Sequence, residues 1–318
     1  MIRVAVIGVG YLGRFHAQKY ARMPEVELVG VVDANSERAA DVAREVGTRA
    51  CADLEELIGG IDAVSVVVPT THHFEVGRAL LSRGVHCLME KPICTSVEEA
   101  DELIRLAARH GVVLQVGHIE RFNPAVRLLE ERVTQPFFIE AHRLSGFKER
   151  ARDVDVVLDL MIHDIEIVLA LVDSPLKELR AVGVPVLTPV ADIANVRLIF
   201  ESGCTANVTA SRISLQSMRR IRVFQPGSYI SADCTERKNL VVTRDPGGGS
   251  MDSIRPDLKT HEETDILFDE LTAFLQAVRG RGPVKVTGEA GRNALKLALD
   301  INAEIRKGLQ TARLAGGT

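Results

Sequence analysis

The chain has 318 residues, 46% of them hydrophobic and 26% charged, with 39 basic against 43 acidic side chains and a formal net charge of −4. That length suits two domains with a core each, and the absence of a basic patch argues against nucleic acid as a partner. No run of roughly 18 apolar residues exists, so the sequence predicts no membrane-spanning helix.

The five cysteines (Cys51, Cys87, Cys94, Cys204, Cys234) form no Cys-x-x-Cys pair. Their scatter fits reduced thiols in a cytoplasmic protein better than a disulfide framework. Arg3 and the apolar run from Val4 to Gly13 look like the start of a short signal peptide. No small-residue cleavage site follows, and "RFHAQKYARM" continues as an amphipathic helix, so no leader is expected.

Up to about residue 120, short apolar runs alternate with helix-like stretches. The runs are "RVAVIGV", "VELVGVVD", "DAVSVVVP", "GVHCLME" and "GVVLQVGH". Between them lie "YLGRFHAQKYARM", "SERAADVAREVG", "LEELIG", "FEVGRALLSRG" and "SVEEADELIRLAARHG". Continuous Val, Ile and Leu strands separated by helices predict a parallel sheet covered on both faces. Gly47, Gly84 and Gly111 fit helix C-terminal caps.

From residue 121 the rhythm changes. One or two helices come first. Then "ELRAVGVPVLT", "IANVRLIFES", "GCTANVTASRIS", "RRIRVFQPG", "SYISADCTE" and "KNLVVTRD" predict an antiparallel sheet with short turns at 201–203 and 226–227. "DPGGGSMDSIRPDLK" reads as a flexible loop. Two helices close the chain, near 263–279 and 288–307. The expected division is therefore 1–120, an α/β dinucleotide-binding domain, and 121–318, an α+β domain whose last helix is free to pack back on the first.

"VAVIGVGYLGRFHA" places Gly8-x-Gly10-x-x-Gly13 directly after a strand and before a helix, with Tyr11 and Leu12 inside the fingerprint. Gly8 permits the tight turn, Gly10 lets a pyrophosphate approach the backbone, and Gly13 lets helix and strand pack closely. The helix N-terminus offers N–H groups to the phosphates. Asp33 ends the next strand, where its carboxylate can accept hydrogen bonds from both adenosine ribose hydroxyls and repel a 2′-phosphate. The expectation is NAD, with NADP less favoured; nearby Arg38 is the one group that could accommodate a phosphate. The plain alternative is a glycine-rich turn that binds nothing.

"VVLDLMIHDIEIVLAL" (156–171) sets Asp159, His163 and Glu166 into an otherwise apolar helix. At about 100° per residue they share a narrow stripe, with His163 and Glu166 offset by roughly 40° and −20° from Asp159, while Asp164 points away. Buried charges need partners, so the three pair with one another or line a polar cavity, and the stretch alone leaves both readings open.

Glu90-Lys91-Pro92 follows the fourth apolar run, at the strand end where ligands sit in open parallel sheets, although such a tripeptide alone also suits a surface turn. Arg121 and Asn123 could meet a phosphate or sugar hydroxyl, or simply enter a helix with Pro124 at an early position. Tyr229, Arg212 and Arg222 could serve the sheet or a sugar nucleotide. Glu166 reads best as neutralising its helix face. "HEETD" (261–265) has Asp265 where a zinc site of the His-Glu-x-x-His kind needs a second His, and no metal is expected.

Taken in order, "GVGYLG", "VVD", "VPTTHH", "GVHCLMEKP" and Asp159-x-x-x-His163 resemble the glucose–fructose oxidoreductase / inositol dehydrogenase / MocA family over nearly the whole chain. The resemblance implies a Rossmann domain carrying NAD or NADP and a second domain with an open, mainly antiparallel sheet. It implies substrate and nicotinamide contact for Lys91, proton transfer for Asp159 and His163, and a cis Lys91–Pro92 bond. Pro69, Thr70 and His73 match the loop bordering the cofactor. Met161, Glu166 and the run Asp155-Val156-Val157 depart from the family's usual pattern, which bears on the substrate more than on the chemistry.

"VGHIERFNPAV", "LDLMIHDIE" and "IRVFQPGSYIS" narrow the likeness to the branch that oxidises C3 of UDP-N-acetylglucosamine ahead of an aminotransferase, for lipid A or other surface glycans. The resemblance also implies a homodimer or homotetramer through the open sheet. Competing expectations are a dehydrogenase of a free sugar or inositol, an NAD-dependent glycosidase, and a non-catalytic NAD-binding regulator.

Overall fold

The computed structural model describes residues 1–147, 154–245 and 254–315, with side chains as far as residue 311. The chain divides into two compact units. Unit 1 comprises Met1–Ile119 with Asp265–Leu295, and unit 2 comprises Glu120–Thr264 with Lys296–Thr318.

Unit 1 is built on six parallel strands, β1 (Ile2–Ile7), β2 (Val26–Val32), β3 (Arg49–Cys51), β4 (Ala63–Val66), β5 (His86–Glu90) and β6 (Leu114–Gly117), in the order β3-β2-β1-β4-β5-β6. The connecting helices are α1 (Tyr11–Tyr20), α2 (Ser36–Val46), α3 (His73–Leu81) and α4 (Val97–His110). This is the Rossmann arrangement, in which the strand order reverses between β1 and β4 and opens a crevice at the carboxyl ends of the strands. Local chemistry fixes the helix limits. Ser96 and Glu99 form a reciprocal capping box at the start of α4, and Gly111 ends it in the left-handed conformation with φ 64°. α2 is capped by the Asn35 side chain and ends at left-handed Gly47.

Two expectations change here. "LEELIG" forms turns and no helix: five residues before paired glycines, with Gly59 at φ 86°, are too few to hold one. β3, unmarked by any apolar run, adds an edge to the sheet. The segment 265–295 supplies α7 (Ile266–Val278) and the start of α8 (Gly288–Ala315). Leu271, Phe274 and Leu275 of α7 share one core with Val4, Val6, Ala17, Tyr20 and Leu88.

Among its described residues unit 2 holds α5 (Pro124–Arg132), α6 (Ile162–Leu171) and eight strands: β7 (Phe138–Leu144), β8 (Leu176–Val184), β9 (Ile193–Phe200), β10 (Thr205–Ser211), β11 (Met218–Gln225), β12 (Ser228–Asp233), β13 (Lys238–Arg244) and β14 (Ile254–Thr260). Their order is β14-β13-β12-β11-β7-β10-β9-β8, antiparallel throughout except for the parallel pair β10·β7. Ile139, Ala141, Val196, Leu198, Val208, Ile221 and Val223 form the buried face, as period-2 patterning requires. The loop expected at 245–259 is therefore corrected in part. Residues 254–260 form an edge strand paired to β13, and 246–253 lie outside the described residues.

The helix over 156–171 begins as a π-helical turn, Val157–Met161, which passes into α6 at Ile162. Asp155 caps it by accepting from the N–H groups of Val157 and Leu158 at 3.0 and 3.1 Å, and Asn302 donates to its other oxygen at 3.0 Å.

Among the described residues no helix is long and apolar enough to cross a membrane, and no group of three or more His, Cys, Asp or Glu could hold a metal. The segment 261–264 precedes α7 and is not helical; His261 bonds to Asn239 at 2.6 Å and Asp265 caps α7.

Candidate active site

In unit 1 the carboxyl ends of β2, β1, β4 and β5 lie side by side, so Asp33, Gly8, Val67 and Glu90 follow one another across the sheet. They border a cleft of about 770 Å³ that is also lined by Gly10, Tyr11, Leu12, Arg38, Val68, Pro69, His72 and Lys91.

Each fingerprint glycine has its own reason. Gly8 turns with φ 85°, and a Cβ there would lie 2.5 Å from the Val67 carbonyl oxygen. A Cβ at Gly13 would lie 1.8 Å from the Gly8 oxygen, so only glycine lets α1 approach β1. Gly10 differs, because a Cβ there meets only Arg38 Nη1 at an ordinary 3.6 Å. The protein's own packing does not demand glycine at that position; an open backbone there suits something laid against it. Gly10 also starts α1 with no side chain capping the helix.

Asp33, 9% exposed, accepts from the Val9 N–H through Oδ2 and from the Asn35 N–H through Oδ1, both at 2.8 Å. These bonds tie the end of β2 to the fingerprint turn, and each oxygen keeps acceptor capacity for a hydroxyl. Arg38 Nη1 stands 3.7 Å from Oδ2. A bare helix N-terminus, an open glycine backbone and a fixed carboxylate together match the donor and acceptor needs of a dinucleotide.

At the β5 end the Lys91–Pro92 bond is cis, as the resemblance implied. The Lys91 N–H donates to Glu90 Oε2 at 3.2 Å, and His16 Nε2 on α1 lies 3.4 Å from Glu90 Oε1. Pro69 lines the cleft and Thr70 opens a 3₁₀ turn, Thr70–His72. His73 corrects an expectation. Its ring is buried, with Nδ1 2.8 Å from the Pro92 carbonyl and Nε2 2.9 Å from the Val68 carbonyl. It joins the two loops from behind, and His72 is the histidine at the cleft. Burial lowers the His73 pKa, against the two carbonyls and the charge of Glu90.

In unit 2, Asp159 lies within the π-helical turn and His163 in the first turn of α6, both half-buried. Glu166 is buried and takes Arg121 Nη1 at 2.5 Å, which fits its reading as a neutralising partner. Arg121 also pairs with Glu130 through Nε. The Asn123 side chain is buried, accepts from the Ala125 N–H at 3.0 Å to cap α5, and donates to the Cys234 carbonyl at 3.0 Å. Arg121 and Asn123, expected at the substrate, thus hold partners within unit 2.

The other three polar candidates also have partners within unit 2. Arg212 binds Asp192, the Thr188 hydroxyl and the Val154 carbonyl. Arg222 pairs with Glu140, and Tyr229 stacks on Phe224 at 4.8 Å.

Two clusters escaped sequence reasoning. One joins Arg143, Asp164, Glu120 and Arg219 in unit 2. Its one sequence signal was an aspartate in an apolar helix. The other joins His16, Glu90 and Glu270 in unit 1, where Glu90 belongs to the Glu-Lys-Pro motif but His16 and Glu270 carry no local signature.

Residues 2–118 match the family described as "Oxidoreductase family, NAD-binding Rossmann fold", and residues 125–226 match the "GFO/IDH/MocA C-terminal domain". The chain is 41% identical over 313 residues to UDP-N-acetylglucosamine 3-dehydrogenase of Acidithiobacillus ferrooxidans, covering 97% of this chain and 99% of that one. A solved structure of that enzyme superposes with a TM-score of 0.90 at 40% identity, covering 96% and 97% of the two chains. The scyllo-inositol 2-dehydrogenase (NAD(+)) of Bacillus subtilis is 29% identical, over 97% of this chain and 95% of its own.

Proposed function

The chain belongs to the Gfo/Idh/MocA family of NAD-binding oxidoreductases, and from that premise we propose that it oxidises C3 of a UDP-N-acetylhexosamine, UDP-N-acetylglucosamine first. The observation that carries this reading is the 41% identity across essentially both whole chains, against 29% for the inositol enzyme. The cleft with Asp33 at one end and Lys91 at the other supports NAD as the partner.

When bound, the cofactor supplies the hydride-accepting chemistry. The remaining tasks fall to side chains of this chain. His163 takes the proton from the C3 hydroxyl as its general base. Asp159, one turn earlier, orients the imidazole and stabilises its protonated form. Lys91 stabilises the charge developing on the substrate oxygen, and this is worth most where water is excluded. Gly8, Gly10, Gly13 and Asp33 hold the dinucleotide, with Tyr11, Leu12, Pro69 and Glu90 around it.

The 3-keto sugar nucleotide so formed is suited to an aminotransferase, which would place the enzyme in the cytoplasm on a route to amino-sugar lipid A or another surface glycan. The open sheet face, with Glu140, Arg197 and Arg222 on its outer rows, is offered as the homodimer or homotetramer contact.

The test is a spectrophotometric screen of UDP-sugars, free hexoses and inositols with NAD, run with and without 2-oxoglutarate to regenerate the oxidised cofactor. Absorbance growth with UDP-N-acetylglucosamine is expected. Turnover of an inositol alone would move the assignment to that class, and release of free sugar without net reduction would favour glycoside cleavage.

A further inference from the structure

Behind the Glu90–Lys91 end of the cleft lies a group of ionisable side chains that the chemistry above does not use. Glu270 on α7 is wholly buried, at 0% exposure, and neither of its carboxylate oxygens has a hydrogen-bond partner among the described residues. The Gln115 amide donates to the Glu270 backbone oxygen at 3.5 Å and so leaves the carboxyl group alone. His16 on α1 is 1% exposed, with Nδ1 also unpartnered among the described residues and Nε2 facing Glu90. Glu90 itself is 14% exposed and opens on the cleft. Gly117 makes room for it, since a Cβ there would sit 3.0 Å from the Glu90 carboxylate.

The two glutamates face different surroundings. Glu90 reaches water and accepts a backbone N–H, whereas Glu270 has no solvent and, among the described residues, no donor. An anion in such a place costs several kcal/mol. Burial first, and then the negative charge of Glu90, push the Glu270 carboxyl well above the usual range. The other titratable groups around the pair are His16 and Tyr20 on α1, His73 on α3 and Lys91 on the turn after β5. Tyr20 is buried and neutral, its hydroxyl 2.8 Å from that of Ser65. Glu90 therefore places a negative charge at this end of the cleft, while Glu75, which also lines it, is paired with Arg78 at 2.6 Å.

The order of strand ends says what meets that charge. Asp33 and the glycines occupy the β2 and β1 ends, which suit adenosine and pyrophosphate, so the β5 end remains for the nicotinamide. That ring is cationic when oxidised and neutral when reduced, so a carboxylate beside it distinguishes the two forms. We propose that Glu90, with Glu270 held beside it as a neutral acid, biases the cleft toward oxidised over reduced NAD. The inference rests on the NAD reading above and adds to it a residue that sets redox-state preference.

The test uses the full chain. It contains no tryptophan, so the fluorescence of added NADH can be followed without that background. NADH is titrated directly and NAD by competition against it, for wild type, Glu90→Gln and Glu270→Gln. Glu90→Gln should raise the ratio Kd(NAD)/Kd(NADH) by about tenfold, because Lys91 loses its compensating charge. Glu270→Gln, an isostere of the neutral acid, should keep the ratio within about twofold of wild type. Equal weakening of both cofactors by Glu90→Gln would assign it a merely structural part and overturn the proposal. So would a shift in Glu270→Gln as large as that in Glu90→Gln, since it would mean that Glu270 carries charge. Failure of wild type to bind either cofactor would instead overturn the underlying NAD reading.

Discussion

Arg143 on β7 and Asp164 on α6 meet through two parallel hydrogen bonds, Nε to Oδ2 and Nη2 to Oδ1, each 2.8 Å long, with both side chains buried. The third arm of the guanidinium reaches Glu120 Oε1 at 2.9 Å, and Arg219 reaches the same oxygen from a more exposed position at 3.2 Å. The network fastens the sheet of unit 2 to the helix that carries His163. Arg143→Met strands the Asp164 carboxylate and leaves Glu120 only Arg219 and Asn123, and should cost about 3–5 kcal/mol of stability in denaturant unfolding. Adding Asp164→Leu should recover part of that loss, because the stranded carboxylate is then gone and Glu120 keeps Arg219.

His163→Ala should lower turnover about 10²- to 10⁴-fold, the usual scale for losing a general base, while NADH still binds with wild-type affinity. Steady-state rates set beside a fluorescence titration check both halves of the statement. Turnover near the wild-type rate would remove His163 from the chemistry.

Asp33 should make NAD bind more than about tenfold tighter than NADP, since a 2′-phosphate would stand against a fixed carboxylate. Asp33→Ser should narrow the gap from both sides: NAD loses a ribose acceptor, and Arg38, 3.7 Å away and half-exposed, is released toward the phosphate. Competition titrations with both cofactors measure it.

Glu270 also makes stability depend on pH. Its carboxyl group keeps its proton in the folded chain and loses it in the unfolded chain above about pH 4.3. The folded state then binds more protons, so stability falls as pH rises, by up to about 1.4 kcal/mol per pH unit from this one group. Glu270→Gln carries no such dependence. Its advantage over wild type should widen from pH 5 to pH 8 in urea unfolding, and parallel curves would count against a neutral Glu270.

Asp192 acts in the opposite sense. Burial alone would raise its pKa, but N–H groups of Val186, Leu187 and Thr188 and the Arg212 guanidinium hold it well below the usual carboxylate range. Its contribution is therefore present above about pH 4 and is lost as acid protonates it. Asp192→Asn should destabilise by about 3–5 kcal/mol at pH 7, by stranding Arg212, and by less near pH 3.

Features whose cause is local were legible in the sequence. The fingerprint glycines answer to contacts within one turn, and β1, β2, β4 and β5 are continuous apolar runs because both faces of their sheet are covered. β7 was missed because its inward row, Ile139, Ala141 and Arg143, includes a charge that breaks the hydrophobic alternation, and the compensating Asp164 lies 21 residues away. β14 shows no alternation because nearly all of its residues are exposed, and it is held by the ladder to β13 alone among named strands. Arg121 and Asn123 carry the right chemistry for a sugar phosphate, but their partners Glu130, Glu166 and Cys234 are recognisable only once the chain has folded.

The π-helical turn at Val157–Met161 has a consequence for how this helix tolerates change. Such a turn carries about one residue more than an α-helical turn. Shortening it by a single residue would restore regular winding and swing everything upstream by roughly 100° around the axis. Asp155 would then leave the side on which Asn302 meets it, though neither had been replaced. In this segment a gap in an alignment outweighs a mismatch, and relatives should differ in polar side chains here long before they differ in length.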